Sequence, residues 1–232
     1  MIPICIATVH GKGLPVLLES IKQYAPEAFV YLRGPESVIR NSEYLSNVRI
    51  IVGEPRNFGE DYNEVIDDAL KYHGACIVCN DDVVLTPTSY SKLLDDVDTI
   101  RSLEPSVGWV AARSDAVRAC QNIRFNRENE VIDMMKYHAE NFIFPAEVVS
   151  PIFAYVSRDA WNHGRFGPLN WYSDDVSCLD MSAKGYSHYV STSYVHHVGS
   201  QTIGLNAEKL TLEAMPWIQE NRPQYVKQFF GS

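Results

Sequence analysis

Only 5 cysteines occur in 232 residues, at positions 5, 76, 79, 120 and 178. An odd number scattered over the chain is not the layout of a disulfide framework, and reduced thiols are expected. Cys76 and Cys79 form a C-x-x-C, yet no second pair accompanies them as a zinc site would require. They also lie inside an apolar run instead of opening a helix, so both are read as core. Long hydrophobic runs are missing too. No stretch reaches the ~18 apolar residues of a membrane span, and "MIPICIATVH" enters an apolar strand without a basic leader or cleavage signature. A cytoplasmic protein is the expectation. Basic charge is scarce: 20 Lys and Arg stand against 29 Asp and Glu, a net charge of −9, with no local cluster of cations. That balance disfavours nucleic acid and anionic membrane surfaces as partners.

What is present reads as one ordered domain. The hydrophobic share is 46% and the charged share 21%, close to the averages of globular proteins, and the length allows a substantial core. Short apolar runs alternate with helix-like stretches through the first half. "PICIATV" (3–9), "AFVYLRG" (28–34), "VRIIVGE" (48–54) and "ACIVCND" (75–81) read as strands. Between them, "LPVLLESIKQYA" sets Leu14, Leu17, Leu18 and Ile21 on one helical face, and "NFGEDYNEVIDDALKYH" does the same for Tyr62, Val65, Ile66, Ala69 and Leu70. Strands buried on both faces and separated by helices imply an α/β fold with a mostly parallel sheet and right-handed crossovers. A helix from near Pro87 and a strand "VGWVAAR" (107–113) follow, whereas 114–150 shows no sustained period. The tail holds "SDDVSCLDMSAKGY" as a helix, "HYVSTSYVHHVG" as a long strand or strand pair, and a helical stretch broken by Pro216 and Pro223 that closes over its own core or covers a partner.

In open parallel sheets, ligands gather outside the carboxyl ends of the strands. "CIVCNDDVVL" (76–85) sets Asn80, Asp81 and Asp82 at such an end. Short oxygen ligands there can hold a hard cation such as Mg2+ or Mn2+, serve acid–base chemistry, or form a solvated loop. A second acidic pair, Asp174 and Asp175, suits either a base for an attacking hydroxyl or the positive end of a helix. His196 and His197 are adjacent on a strand and must point to opposite faces, so at most one enters a shared site.

"CNDDVVL" (79–85) resembles the D-x-D-type signature of the GT-A glycosyltransferases, in particular glycosyltransferase family two. Three further segments resemble that family in the expected order. They are "PRNFGEDYNEVIDDAL" with its N-x-G-x-x-x-N start, "NHGRFGPLNWYSDDVSCLDMSAKGY" with its Gly-x-Phe segment and acidic pair, and "YVHHVGSQT" with its His-containing strand end. The resemblance spans roughly residues 3–202. It implies a GT-A (Rossmann-like) central sheet flanked by helices, a nucleotide-sugar-binding half over about 1–113, a smaller mixed acceptor-side half over about 114–205, and a helical tail over 206–232.

The resemblance also implies roles. Asp82, with His196 first and His197 second, would hold Mn2+ or Mg2+. Thr8, Val9, Arg33, Asn57, Gly59, Asn63, Asn80 and Asp81 would line the nucleotide sugar, Arg33 standing where the family often carries an acid. Asn57 equally suits a helix N-cap. Asp175 would be the catalytic base and Asp174 a positioning acid. Trp171 and Tyr172 would stack on the acceptor, with residues 125–156 surrounding it. The activity implied is transfer of a sugar, hexosyl or pentosyl, from a nucleoside diphosphate to an acceptor hydroxyl, with inversion. A metal-dependent phosphohydrolase or phosphotransferase, or a non-catalytic nucleotide- or sugar-binding module, would use the same acids. A homodimer is compatible with the apolar tail.

Overall fold

Four strands pair in parallel at the centre of the molecule, in the spatial order β3 (Val48–Val52), β2 (Val30–Gly34), β1 (Ile4–Ala7) and β4 (Ala75–Asn80). The computed structural model describes residues 1–40, 47–123, 141–198 and 207–231. Beyond β4 the sheet becomes mixed: β8 (Phe153–Ser157) enters antiparallel, β6 (Val107–Arg113) follows antiparallel to it, and β9 (Ser187–His197) is parallel to β6. The short strands β5 (Val83–Leu85) and β7 (Phe144–Ala146) both pair antiparallel with β9. The expected mostly parallel sheet with a mixed second part is therefore present, and of the stretch read as a long strand or strand pair, Ser187–His197 is one long strand.

Helices cover both faces, which is why the central strands are apolar on both sides. On one face, α1 (Leu14–Tyr24) buries Leu14, Leu17, Leu18 and Ile21 beside α4 (Ser89–Leu103), which buries Leu93, Val97 and Ile100. Each such aliphatic side chain contributes ~2 kcal/mol by leaving water. On the other face, α3 (Phe58–Leu70) presents Tyr62, Val65, Ile66 and Ala69 to a layer shared with Cys5, Cys76, Trp109 and Trp161. Cys76 and Cys79 are fully buried and unpaired, so the C-x-x-C is core, as expected. The remaining helices are α2 (Glu36–Ile39), α5 (Arg158–Trp161), α6 (Ser173–Ser182), α7 (Ala207–Asn221) and α8 (Val226–Phe230).

Two polar devices aim the second half. The pairing of β6 with β9 carries a bulge between Ala111 and Arg113, where partners jump from Val190 to Tyr194. Asp96 of α4 fills that irregularity by accepting from the Ser191 hydroxyl (2.6 Å) and from the Thr192 amide and hydroxyl (2.7 Å each). Trp109 Nε1 donates to Ser177 Oγ at 3.0 Å and stacks on Phe166 at 5.6 Å, which seats α6 against the sheet. The tail closes on its own molecule: Ala214 and Ile218 of α7 are buried against Leu169 and Val176. No helix among the described residues is long and apolar enough to cross a membrane.

Candidate active site

Asp81 and Asp82 leave the carboxyl end of β4 in a tight turn into β5. Gly13, at the head of α1, presses on that turn: a Cβ there would lie 2.5 Å from the Asp81 carbonyl oxygen and 2.7 Å from Asp82 Cα. The Thr8 hydroxyl, at the end of β1, donates to the Asp81 carboxylate and accepts from the Gly11 amide at 3.0 Å. Burial raises the Asp81 pKa, opposed by the Thr8 hydrogen bond and reinforced by Asp82. Val9 follows Thr8, half-buried. Asn80 stands between two neighbours, with Tyr62 Oη 3.4 Å from its Oδ1 and His197 Nε2 3.4 Å from its Nδ2.

The two histidines divide as strand alternation requires. His197 faces inward, 8% exposed, with Nε2 3.0 Å from Asp82 Oδ1 and Nδ1 2.5 Å from the Ala116 carbonyl oxygen. His196, the first choice for the metal, points the other way. Its side chain is half exposed and its Nδ1 lies 2.8 Å from Asp115 Oδ2. Val83 pairs with His197, which sets that residue beside the turn carrying Asp82, and it is His197 that meets the Asp82 carboxylate. Burial alone would lower the His197 pKa, but the bond and charge of Asp82 outweigh it and the net shift is upward.

Among the described residues no group of three or more His, Cys, Asp or Glu side chains is arranged to hold a metal ion. The donor pair Asp82 Oδ1 and His197 Nε2 nevertheless fits one. Their 3.0 Å separation matches neighbouring corners of an octahedron with bonds of ~2.1 Å. One carboxylate and one imidazole leave the other positions to ligand oxygens, and the donor types suit Mn2+.

The second acidic pair begins α6. Arg118 bridges it, with Nη2 3.3 Å from Asp174 Oδ2 and 3.0 Å from Asp175 Oδ2. Ser150 Oγ donates to Asp174 at 2.9 Å. Burial, then repulsion from Asp174, lifts the Asp175 pKa to about 7 against the pull of Arg118. The Arg118 pKa rises in turn, because the two carboxylates outweigh its own burial. A carboxylate poised near neutrality is suited to take up a proton. The loop after β6 joins the two acidic clusters: Asp115 Oδ1 accepts from the His197 amide at 3.2 Å, Ala116 holds the His197 ring, and Arg118 holds Asp174 and Asp175.

Several expected nucleotide-lining residues have their polar groups committed within the protein. Arg33 ends β2 but is 2% exposed. Its guanidinium lies 2.9 Å from both Asp61 and Glu64 and donates to the Glu54 carbonyl oxygen at 2.8 Å, so it faces carboxylates and not solvent, as a buried cation must. Asn57 caps α3, accepting from the Glu60 amide at 2.9 Å. Asn63 donates to the Phe166 carbonyl oxygen at 2.9 Å and accepts from the Phe166 amide at 3.2 Å, which occupies its side-chain amide at both ends. Gly59 lies so close to the same loop that a Cβ would stand 1.7 Å from the Gly167 carbonyl oxygen. The N-x-G-x-x-x-N motif is thus the clamp that fastens α3 to the loop leading into α6.

Tyr172, expected on the acceptor, instead has its ring stacked on Phe229 at 5.0 Å and edge-on to Phe230 at 5.6 Å, because the apolar end of the tail folds back over it. Trp171 is 39% exposed. Of the stretch expected around the acceptor, 125–140 lies outside the described residues, as do Gly199 to Thr202 of the histidine motif. The residues that sequence reasoning missed, Asp115, Arg118 and Ser150, fall in the aperiodic region. One signal was available for the first: "VGWVAARSD" sets an acid behind a buried strand as "CIVCNDD" does.

No protein-family model and no curated protein matches the chain. Solved structures do. The structure of S. aureus TarS 1–349 aligns over 86% of this chain and 60% of its own, at 13% identity and a TM-score of 0.58. The same protein in complex with UDP-GlcNAc aligns over 84% and 58%, at 13% identity and a TM-score of 0.57. GalNAc-T7 with UDP, GalNAc and Mn2+ aligns over 98% of this chain and 58% of its own, at 10% identity and a TM-score of 0.61. This chain spans less than two thirds of the length of each. Its fold is the GT-A fold.

Proposed function

We propose that this GT-A chain is a nucleotide-sugar glycosyltransferase, in which Asp82 and His197 hold a divalent cation and Asp175 is the base. One observation carries the reading: a line of contacts runs along a single edge of the sheet, from Asp82 through His197 and the 115–118 loop to Asp174 and Asp175. Its first end suits a cation, its second a proton. The UDP-GlcNAc bound to TarS and the UDP, GalNAc and Mn2+ bound to GalNAc-T7 support the assignment of donor and cation classes.

Transfer forms a bond between an acceptor hydroxyl oxygen and the anomeric carbon and breaks the bond from that carbon to the diphosphate, which leaves with the electron pair. Bound Mn2+ or Mg2+ would neutralise charge on the departing diphosphate. Asp175 receives the hydroxyl proton, and a base on the face opposite the leaving group gives inversion. Asp174, tied by Ser150 and Arg118, lies beside Asp175 and by its charge helps raise that base toward neutrality. Thr8 orients Asp81 within the turn, and Asn80 reaches between Tyr62 and His197. With Tyr172 covered by Phe229, the exposed Trp171 is the aromatic surface for an acceptor sugar.

The test is incubation with a panel of nucleotide sugars, Mn2+ and candidate acceptors, following release of nucleoside diphosphate. Release that requires Mn2+ and disappears in both Asp82→Ala and Asp175→Asn supports the reading; release indifferent to both substitutions, or none from any donor, rejects it.

A further inference from the structure

The sheet edge opposite the Asp81–Asp82 turn holds a cavity of about 350 Å3, framed by Gly74 before β4, Val107 at the start of β6 and Ser157 at the end of β8. That volume is within the range of small-molecule sites. Arg101 and Arg158 both line it, and neither makes an ion pair with a described residue. Seven other described arginines pair with a carboxylate, and Arg113 donates to the carbonyl oxygens of Ser191 and Phe142. In a chain of net charge −9, two guanidiniums without an ion pair to a described residue border the same cavity.

The floor adds a third donor. Tyr155 is 2% exposed, and its hydroxyl accepts from Arg101 Nη1 at 3.5 Å while no described group accepts its own proton. Arg158 spends one nitrogen on the His73 carbonyl oxygen, at 2.8 Å, which fixes the fork without using it up. The Asn162 side-chain amide borders the same space. The one carboxylate in the wall, Asp159, accepts from the Tyr186 hydroxyl at 2.5 Å.

We infer that this cavity is a second ligand site, separate from the proposed donor site, and that it takes the phosphate group of a small phosphate ester. Planar guanidinium forks match phosphate oxygens in pairs, and a phenol proton with no acceptor supplies a further bond. The inference does not rest on the proposed transfer activity, since the residues and the edge of the sheet are different.

The full chain is titrated calorimetrically with glucose 1-phosphate in the presence of excess UDP and Mn2+, and in parallel sedimented with vesicles containing phosphatidic acid. Binding of the soluble ester assigns the site to a metabolite, and binding of vesicles alone assigns the same phosphate chemistry to a lipid headgroup. Arg101→Gln and Arg158→Gln, whose side chains are exposed, are each expected to weaken that binding about tenfold. Tyr155→Phe weakens it by a smaller factor. UDP binding by the same variants is a separate readout and stays unchanged. Absence of binding to either probe, or binding equal in the arginine variants and the parent, overturns the inference.

Discussion

His197 Nε2 lies 3.0 Å from Asp82 Oδ1, and the antiparallel pairing of β5 with β9, Val83 opposite His197, brings the two segments side by side. A residue from the first half of the chain and one from the last described strand are thereby brought together, and the cation proposed between them depends on both. Asp82→Ala is expected to lower diphosphate release at least 100-fold, and His197→Ala by 10- to 100-fold, order-of-magnitude effects for losing a ligand of a charge-neutralising ion. Mn2+ titration in the presence of UDP, followed by calorimetry, should lose affinity in both variants. His196→Ala, on the solvent side of the same strand, should retain it.

The pH profile reports on the acid pair. Asp175 must be ionised to accept a proton, so kcat rises with pH and reaches half its plateau at about pH 7. Arg118 pulls that value down. Arg118→Gln should therefore move the midpoint to higher pH, by about one unit for the loss of a close opposite charge. A profile that keeps its midpoint would deny Arg118 any electrostatic role.

Stability should vary with pH in the opposite sense. The folded-state pKa values of Asp81, Asp175 and His197 all lie above their ordinary values, so the folded protein binds more protons than the unfolded chain between these values. Their contribution is full below the unfolded pKa of each group and is lost as pH rises through the folded one. The melting temperature is expected to fall between pH 5 and 8, and Asp175→Asn should flatten that fall across its carboxylate's share of the range.

Gly59→Ala probes the clamp. With the Gly167 carbonyl oxygen 1.7 Å from the new Cβ, two backbones must separate. Overpacking of this kind costs ~1–3 kcal/mol, readable as a shift of the denaturant midpoint. Because the displaced loop runs directly into α6, kcat should fall more than KM changes.

The alternation of apolar strands and amphipathic helices made the parallel half legible, since strands covered on both faces need no polar side chain until they end. Asp81 and Asp82 were legible because they follow a run of apolar strand residues, and Asp174 and Asp175 because they open a helix. The inward histidine was not, because strand alternation separates His196 from His197 without saying which faces inward; contacts with Asp82 and the Ala116 carbonyl, distant in sequence, distinguish them. Nor was the destination of Asn63, whose partner, the Phe166 backbone, lies 103 residues away. Arg118 escaped because its loop has no period and its meaning comes only from the two carboxylates it meets in space. Arg33 was expected beside the nucleotide after the second strand; it lies within β2, and its enclosure by Asp61 and Glu64 is a tertiary event.

Among the described residues, Tyr172 is the one non-glycine with a left-handed backbone, at φ 65°, and it stands immediately before the helix that bears the acids. Such a conformation costs ~1–3 kcal/mol, and the rings of Phe229 and Phe230 pack on its side chain. The tail thus packs over the residue from which the acid-bearing helix starts, so a lesion at Phe229, more than 50 residues downstream, would be felt first at the entry to that helix.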